Sequence, residues 1–371
     1  MRKIFSMLIV VLLFFIWMTG CGKMSNSQTA ENNSLQEEAV AEIFDAIRLD
    51  SEIIELEKGF QAVRFEGNDG FEEFLSQGGA SSDSEVVGYL SEHFLSGMDL
   101  SFTGDSFGCS TIAVSSPDGE PLFGRNFDWN QCEAMVVISY PENGYASIST
   151  VNMDFIKQGA GNGVAGMALN LDTVRTLAAL YAPLDGMNEA GLAVSVNMIQ
   201  DGEKIAQDTE KPDITTTTAI RLLLNKAADV EEALKLLDQY DMHSSMGMMV
   251  HFALADRNGR SVVVEYVDSE MIITETPVVT NFYFAKGEKE GIGTEQSHER
   301  YDILMQALEE QETMDMQEVA DALNSVSKGN FTDSLSTEWS IVFNLDTGAA
   351  HYYHRENYKN RYIFVLDQVK N

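Results

Sequence analysis

The stretch from Cys109 to Asp128 constrains the fold more than any other part of the chain. Ser110-Thr111-Ile112-Ala113-Val114 is β-rich, Pro117-Asp118-Gly119 is a turn signal, and Leu122-Phe123-Gly124-Arg125-Asn126-Phe127 leads back. A hairpin folded about Asp118 sets Cys109 opposite Phe127. It brings Arg125 and Asp128 beside the thiol, within one residue of register. A cation next to a cysteine favours the thiolate. An acid one or two positions further on can bind an ammonium group or position the cation. The plainer alternatives are a small buried cysteine and a surface Arg125–Asp128 ion pair.

Other strand pairs follow. Met249 to Ala255 and Ser261 to Tyr266 flank the turn Asp256-Arg257-Asn258-Gly259, and Trp339 to Leu345 and His351 to His354 flank Asp346-Thr347-Gly348. Gly191 to Val196 and Ile272 to Asn281 are two more apolar runs. Helical stretches fall between them. Thr217 to Ala228 is one, and Val230 to Tyr240 is another, with Asp229 and Glu232 at capping-box spacing. Glu299 to Leu308 and Met316 to Val326 complete the set. Strands and helices come in batches, which argues for a layered α+β fold rather than strict alternation.

The segment from about Leu35 to Gly108 reads as mixed and partly helical, with Ser84 capping an amphipathic helix through Leu95. The first twenty residues read as an export signal. Arg2 and Lys3 begin it, Ile4 to Met18 is almost unbroken apolar sequence, and Met18-Thr19-Gly20-Cys21 closes it with small residues before a cysteine. That ending resembles the lipobox of bacterial lipoproteins, where the cysteine is lipidated and becomes the mature N-terminus. Two acyl chains suffice for stable anchoring. The resemblance implies an exported protein, lipid-anchored at Cys21 to the outer face of the bacterial cell membrane. A plain signal peptide or an uncleaved anchor is the alternative. Ser25 to Ser34 has the composition of a tether. The expected division is therefore signal peptide 1–20, tether 21–40, prosegment 41–108 and catalytic domain 109–371.

A formal net charge of −34, from 24 Lys+Arg against 58 Asp+Glu, repels phosphate backbones, so no nucleic-acid partner is expected. With Cys21 spent on lipid, Cys109 and Cys132 remain, and a disulfide between them is the bland alternative. No C-x-x-C or H-E-x-x-H pattern exists, and His351 and His354 fall on opposite faces of a strand. Neither a metal nor a cofactor is expected. Gly161-x-Gly163-x-x-Gly166 matches a dinucleotide fingerprint by letter but lacks the strand before it and the helix after it, so it reads as a loop. Met246-Gly247-Met248-Met249 reads as core filler. A papain-like partner for the thiol would have to be His93, His243, His251 or His298, and none has a recognisable surrounding motif.

Gly108 precedes the cysteine, and glycine tolerates strained backbone of the kind stored at functional sites. An acyl shift from nitrogen to sulfur across Gly108-Cys109 would cut the chain. It would free an α-amine, with a pKa of roughly 8, to serve as general base. Gly108-Cys109-Ser110-Thr111-Ile112 and Gly124-Arg125-Asn126-Phe127-Asp128-Trp129 together resemble the opening of the choloylglycine hydrolase and acid ceramidase group. These are N-terminal-nucleophile (Ntn) cysteine hydrolases. Asp185-Gly186-Met187-Asn188-Glu189-Ala190-Gly191-Leu192, Val279-Thr280-Asn281, Ser297-His298-Glu299-Arg300-Tyr301 and Trp339-Ser340-Ile341-Val342-Phe343-Asn344-Leu345 resemble later motifs of that group in order.

The resemblance implies a four-layer αββα Ntn-hydrolase sandwich behind a partly helical prosegment. It implies Cys109 as nucleophile with its α-amine as base, Arg125 tuning the thiolate and Asp128 holding the amine. Asn281 would donate to the oxyanion, aided by a group near Asn197, and Arg300 would tie the site together. The run from Asp185 to Asn197 is about one residue shorter than in bile-salt hydrolases. The distance from Cys21 to Cys109 matches the branch in which a sizeable N-terminal piece is cut and stays associated; a permanent, uncut prodomain is the alternative. The expected reaction is hydrolysis of a linear amide bearing an apolar acyl group, on a small-molecule substrate. Acyl transfer to an amine and a non-catalytic solute-capturing lipoprotein are the competing readings. A homo-oligomer is left open.

Overall fold

The turn at Pro117-Asp118-Gly119 joins β3 (Gly108–Ser115) to β4 (Pro121–Trp129), with Gly119 at φ 89°, a left-handed value that favours glycine. The ladder runs from Cys109 opposite Phe127 to Ser115 opposite Pro121, the register the turn predicts. A second hairpin, β15 (Ser336–Asn344) and β16 (Ala349–His354), lies against β4. With β14 (Val278–Val279) at one edge and β17 (Tyr362–Val365) at the other, these make a six-stranded antiparallel sheet ordered β14-β3-β4-β15-β16-β17. The computed structural model describes residues 46–94, 108–160, 171–331 and 335–366, and the backbone alone for 157–160. The export signal, Cys21, the tether and the loop of Gly161, Gly163 and Gly166 lie outside the described residues.

The second sheet has nine strands. Seven of them are β5 (Ala134–Pro141), β6 (Ser147–Asn152), β7 (Asp185–Asn188), β8 (Leu192–Met198), β11 (Val250–Asp256), β12 (Ser261–Val267) and, at the edge, β13 (Glu270–Glu275), in that spatial order. At the β5 end it is extended by β2 (Phe60–Gly67), the one parallel neighbour, and then β1 (Ile54–Glu57). A two-stranded parallel pair, β9 (Asp213–Thr215) and β10 (Asp241–His243), stands apart.

Helices cover both outer faces. α5 (Thr216–Lys226) and α6 (Val230–Leu237) lie over β7, β8 and β11, and α7 (Glu295–Glu310) and α8 (Met316–Ser325) lie over β3, β4, β14 and β15. β3 and β8 meet between the layers. The result is the expected αββα sandwich. Two apolar clusters fill it, a large one including Phe127, Trp339 and Val196, and a smaller one between the six-stranded sheet and its helices, including Ile112, Leu304 and Leu323. Apolar burial on both faces of each sheet is the main driving force for such a stack.

Residues 46–94 are integral to this structure. Besides β1 and β2 they form α1 (Phe71–Ser76) and α2 (Asp83–His93), and Phe60, Val63, Phe71, Phe74 and Leu90 are buried in the large cluster. α2 starts earlier than its sequence suggests, because the Ser82 side chain rather than that of Ser84 accepts the capping bond from the Glu85 N–H. The apolar run Ile272 to Asn281 is also two elements in different sheets. It breaks at Pro277, which has no N–H for a ladder, so β13 edges the nine-stranded sheet and β14 the six-stranded one.

Candidate active site

Side chains alternate across a strand, so β3 and β4 present two different chemistries. Towards the nine-stranded sheet point Cys109, Arg125 and Phe127. Arg125 Nη2 is 3.3 Å from Cys109 Sγ and 3.0 Å from the Val196 carbonyl of β8, which Sγ also approaches at 3.6 Å. Arg125 Nη1 pairs with Asp185 Oδ2 of β7, and the Trp339 indole N–H donates to the same oxygen at 3.0 Å. Phe127 and Trp339 stack with ring centroids 4.0 Å apart, and the guanidinium lies over both rings. Cys109, Arg125 and Asp185 are fully buried.

Towards the helices point Ser110 and Asp128, both met by Arg300 from the first turns of α7. Arg300 Nη1 donates to the Cys109 carbonyl and to Ser110 Oγ, each at 2.6 Å, and lies 3.3 Å from Asp128 Oδ2. Its Nη2 donates to Asn281 Oδ1 at 2.7 Å. The other Asp128 oxygen accepts from Thr337 Oγ1 at 2.7 Å. The Cys109 main chain thus sits between two clamps: Arg300 on its carbonyl and Asn281 Oδ1, at 2.8 Å, on its N–H. Cys109 N and Arg300 are pure donors, so they fix which end of the Asn281 carboxamide faces them. The Asn281 nitrogen donates to the Met198 carbonyl at 2.6 Å and keeps a second N–H.

Five of the residues singled out in the sequence (Cys109, Arg125, Asp128, Asn281 and Arg300) therefore form one bonded network. Asn197 is buried beside it, but its side chain bonds the Val279 carbonyl at 3.3 Å and Ser195 Oγ at 3.0 Å instead. Gly108 differs from its expected strain. It is extended in β3 and absent from the left-handed positions, and glycine is needed there for room, since a Cβ would fall 2.9 Å from Asp128 Oδ2. The thiol also departs from the simple cation argument. Burial pushes the Cys109 thiol up, and Arg125 acts against that as the largest opposing influence. Cys132 is a second buried free thiol, pushed well up by burial and by Glu338, and no disulfide joins it to Cys109.

Sequence reasoning assigned no role to Asp185, Trp339 or Thr337. Asp185 opens the Asp-Gly-Met-Asn-Glu motif and Trp339 opens the last strand motif, so both carried a signal. Thr337 carried none, because its contact with Asp128 exists only through the β4–β15 ladder. The four histidines considered as thiol partners are engaged elsewhere. His251, for one, lies between Glu265 and the Thr280 carbonyl.

Residues 109–283 match the model of the linear amide C–N hydrolases, choloylglycine hydrolase family, and the match begins at Cys109. Over that stretch the chain resembles this family. It is 27% identical over 179 residues to the bile salt hydrolase/transferase of Clostridium perfringens, covering 46% of this chain and 51% of that protein. It is 29% identical over 99 residues to the penicillin V acylase of Pectobacterium atrosepticum, covering 24% and 26%. The chain thus spans about half the length of the first of these relatives and a quarter of the second. A similar fold is seen in the crystal structure of a mutant conjugated bile acid hydrolase from Clostridium perfringens. That structure superposes with a TM-score of 0.53 at 18% identity, over 71% of this chain and 93% of that one.

Proposed function

We propose that the chain is a cysteine amidase of the N-terminal-nucleophile type, hydrolysing a linear amide that carries an apolar acyl group. The observation that carries this reading is the double hold on one residue: Arg125 lies 3.3 Å from the Cys109 sulfur while Asn281 and Arg300 grip its main-chain N–H and carbonyl. A nucleophile that is also its own base needs both its sulfur and its nitrogen positioned. The start of the family match at Cys109 supports the same reading.

In the first step the Cys109 sulfur attacks the Gly108 carbonyl carbon, and the C–N bond to Cys109 breaks. Water then cleaves the resulting thioester, leaving a Gly108 carboxylate and a free Cys109 α-amine. In turnover the amine takes the thiol proton as sulfur adds to the substrate carbonyl. The tetrahedral oxyanion is met by the free N–H of Asn281, and the amine returns its proton to the leaving nitrogen. A second water releases the acyl group. Arg125 holds the thiolate, and Asp128 with Arg300 holds the region of the amine. The prosegment stays bound after the cut, a reading supported by the burial of Phe60, Phe71 and Leu90 and by the β2–β5 ladder. Export and lipid anchoring at Cys21 belong to the same proposal; a Cys21→Ser variant is expected in the culture medium rather than in the membrane fraction.

The test is a panel of a conjugated bile salt, penicillin V and straight-chain N-acyl anilides on wild type and Cys109→Ala, with the larger fragment's N-terminus sequenced. Turnover by wild type alone, with cysteine as the first residue, is the expected result. Full hydrolysis by Cys109→Ala overturns the assignment. Acyl transfer is a second reading, favoured by the hydrolase/transferase name of the Clostridium perfringens relative. An added amine that outcompetes water in the product mixture would establish it.

A further inference from the structure

His251 and Glu265 lie outside the nucleophile's network, and both are buried. His251 is on β11, opposite Asn197 in the β8–β11 ladder, and Glu265 is on the adjoining β12. His251 Nε2 is 2.7 Å from the Thr280 carbonyl, and Nδ1 is 3.0 Å from Glu265 Oε1. Glu265 turns both oxygens to main-chain donors as well. The Phe284 N–H reaches Oε1 at 3.0 Å and Oε2 at 3.1 Å, and the Ala285 N–H reaches Oε2 at 2.6 Å.

Counting protons on these contacts leaves one solution. A carbonyl only accepts, so Nε2 carries a hydrogen. Both Glu265 oxygens already accept from N–H groups, so the short Nδ1–Oε1 contact needs a second hydrogen lying between them. The pair therefore shares two hydrogens, one on Nε2 and one between Nδ1 and Oε1. Every polar atom of this buried pair is matched, as buried polar groups require.

We propose that His251 and Glu265 are a hydrogen-bonded positioning pair for Asn281, a role that rests on reading Asn281 as the oxyanion donor. The pair holds the carbonyl of Thr280 just before Asn281 and the N–H groups of Phe284 and Ala285 just after it. β14 ends at Val279, and after Asn281 the chain keeps only the short bridge of Phe282 to Gly293. The pair braces the segment alongside that bridge and keeps the carboxamide turned to Cys109.

The decisive measurement is nitrogen NMR of Cys109→Ala protein labelled with 15N-histidine, with His251→Gln in the same background to assign the signal. A hydrogen on Nε2, with Nδ1 hydrogen-bonded to Glu265, is expected. A hydrogen on Nδ1 alone, with a bare Nε2 facing the Thr280 carbonyl, overturns the proposal. Kinetics give the second readout on the anilide that wild type turns over best. Glu265→Gln and His251→Gln should lower kcat about tenfold to a hundredfold, a loss on the scale of a misplaced oxyanion donor. KM and the rate of Cys109 alkylation by iodoacetamide should stay close to wild type, which a general collapse of the fold would not allow. An unchanged kcat in both variants also overturns it. The ring-proton count is made on a protein without its nucleophile, so it decides the pair even where the amidase reading fails.

Discussion

Gly108 lies opposite Asp128 in the β3–β4 ladder, so close that a Cβ on residue 108 would sit 2.9 Å from the Asp128 carboxylate. The side chain of Lys328 closes the same space from another direction, its Cε 3.3 Å from that Cβ position. Gly108→Ala must therefore push Asp128 away from Arg300 and Thr337. Overpacking of this kind costs about 1–3 kcal/mol. If it falls on the step that cuts the chain, cleavage slows about tenfold to a hundredfold. A time course of the uncut band on a denaturing gel measures it.

Asp185→Asn should be felt across the site although Asp185 does not touch Cys109. It strips Arg125 of its paired anion in a fully buried place. Removing one partner of a buried ion pair costs about 3–5 kcal/mol. Urea unfolding should show that loss, and the Arg125 side chain should no longer be fixed beside the sulfur.

The thiol gives a pH test whose sign follows from its surroundings. Burial raises the Cys109 thiol and Arg125 lowers it, with burial the larger. In the uncut chain the neutral thiol therefore persists to higher pH than in a free cysteine. Its alkylation by iodoacetamide should rise with pH and reach half its limit above about 8.5. Arg125→Gln removes the opposing cation, so the same curve should move further up.

Thr337→Val leaves one Asp128 oxygen without its donor while keeping the side chain's shape. A buried acceptor left unmatched costs about 1–3 kcal/mol. If Asp128 holds the amine, kcat should fall about tenfold, with KM little changed. A fall in stability with kcat unchanged would show Thr337 to be structural only.

If the chain is cut before Cys109 as proposed, the two fragments should run as one species on gel filtration and part only under denaturant. The N-terminal piece is tied by Phe60, stacked on His354 and edge-on to Tyr362 at 5.1 Å each, and by Asp69, which meets the Asn225 carboxamide at 3.3 Å near the buried Arg221. Phe60→Ala should cost about 3–5 kcal/mol and lower the urea concentration at which the fragments separate.

Much of this was legible in the chain itself. The turn at Pro117-Asp118-Gly119 and the alternation on either side determine the register that sets Cys109 against Phe127, because both are local: a turn type and a period of two. The helix cap at Asp229 and the hairpins around Gly259 and Gly348 are local in the same way. Motif order carried Arg300 and Asn281 into the site by resemblance, although no local rule joins residues that far apart.

Tertiary structure alone decided the rest. The break at Pro277 sends β13 and β14 to different sheets, a choice made by which edge is free rather than by the apolar run itself. The partner of Arg125, the hold of Thr337 on Asp128 and the balance of burial against charge at the thiol all arise from side chains hundreds of positions apart in some cases. Burial is a property of everything packed around a group, so a sequence that places a cation beside Cys109 cannot by itself say which way the thiol is pushed. The chain determined that sulfur, main-chain nitrogen and cation would meet at Cys109; the packing of two sheets decided how dry that meeting place is and what holds each of them still.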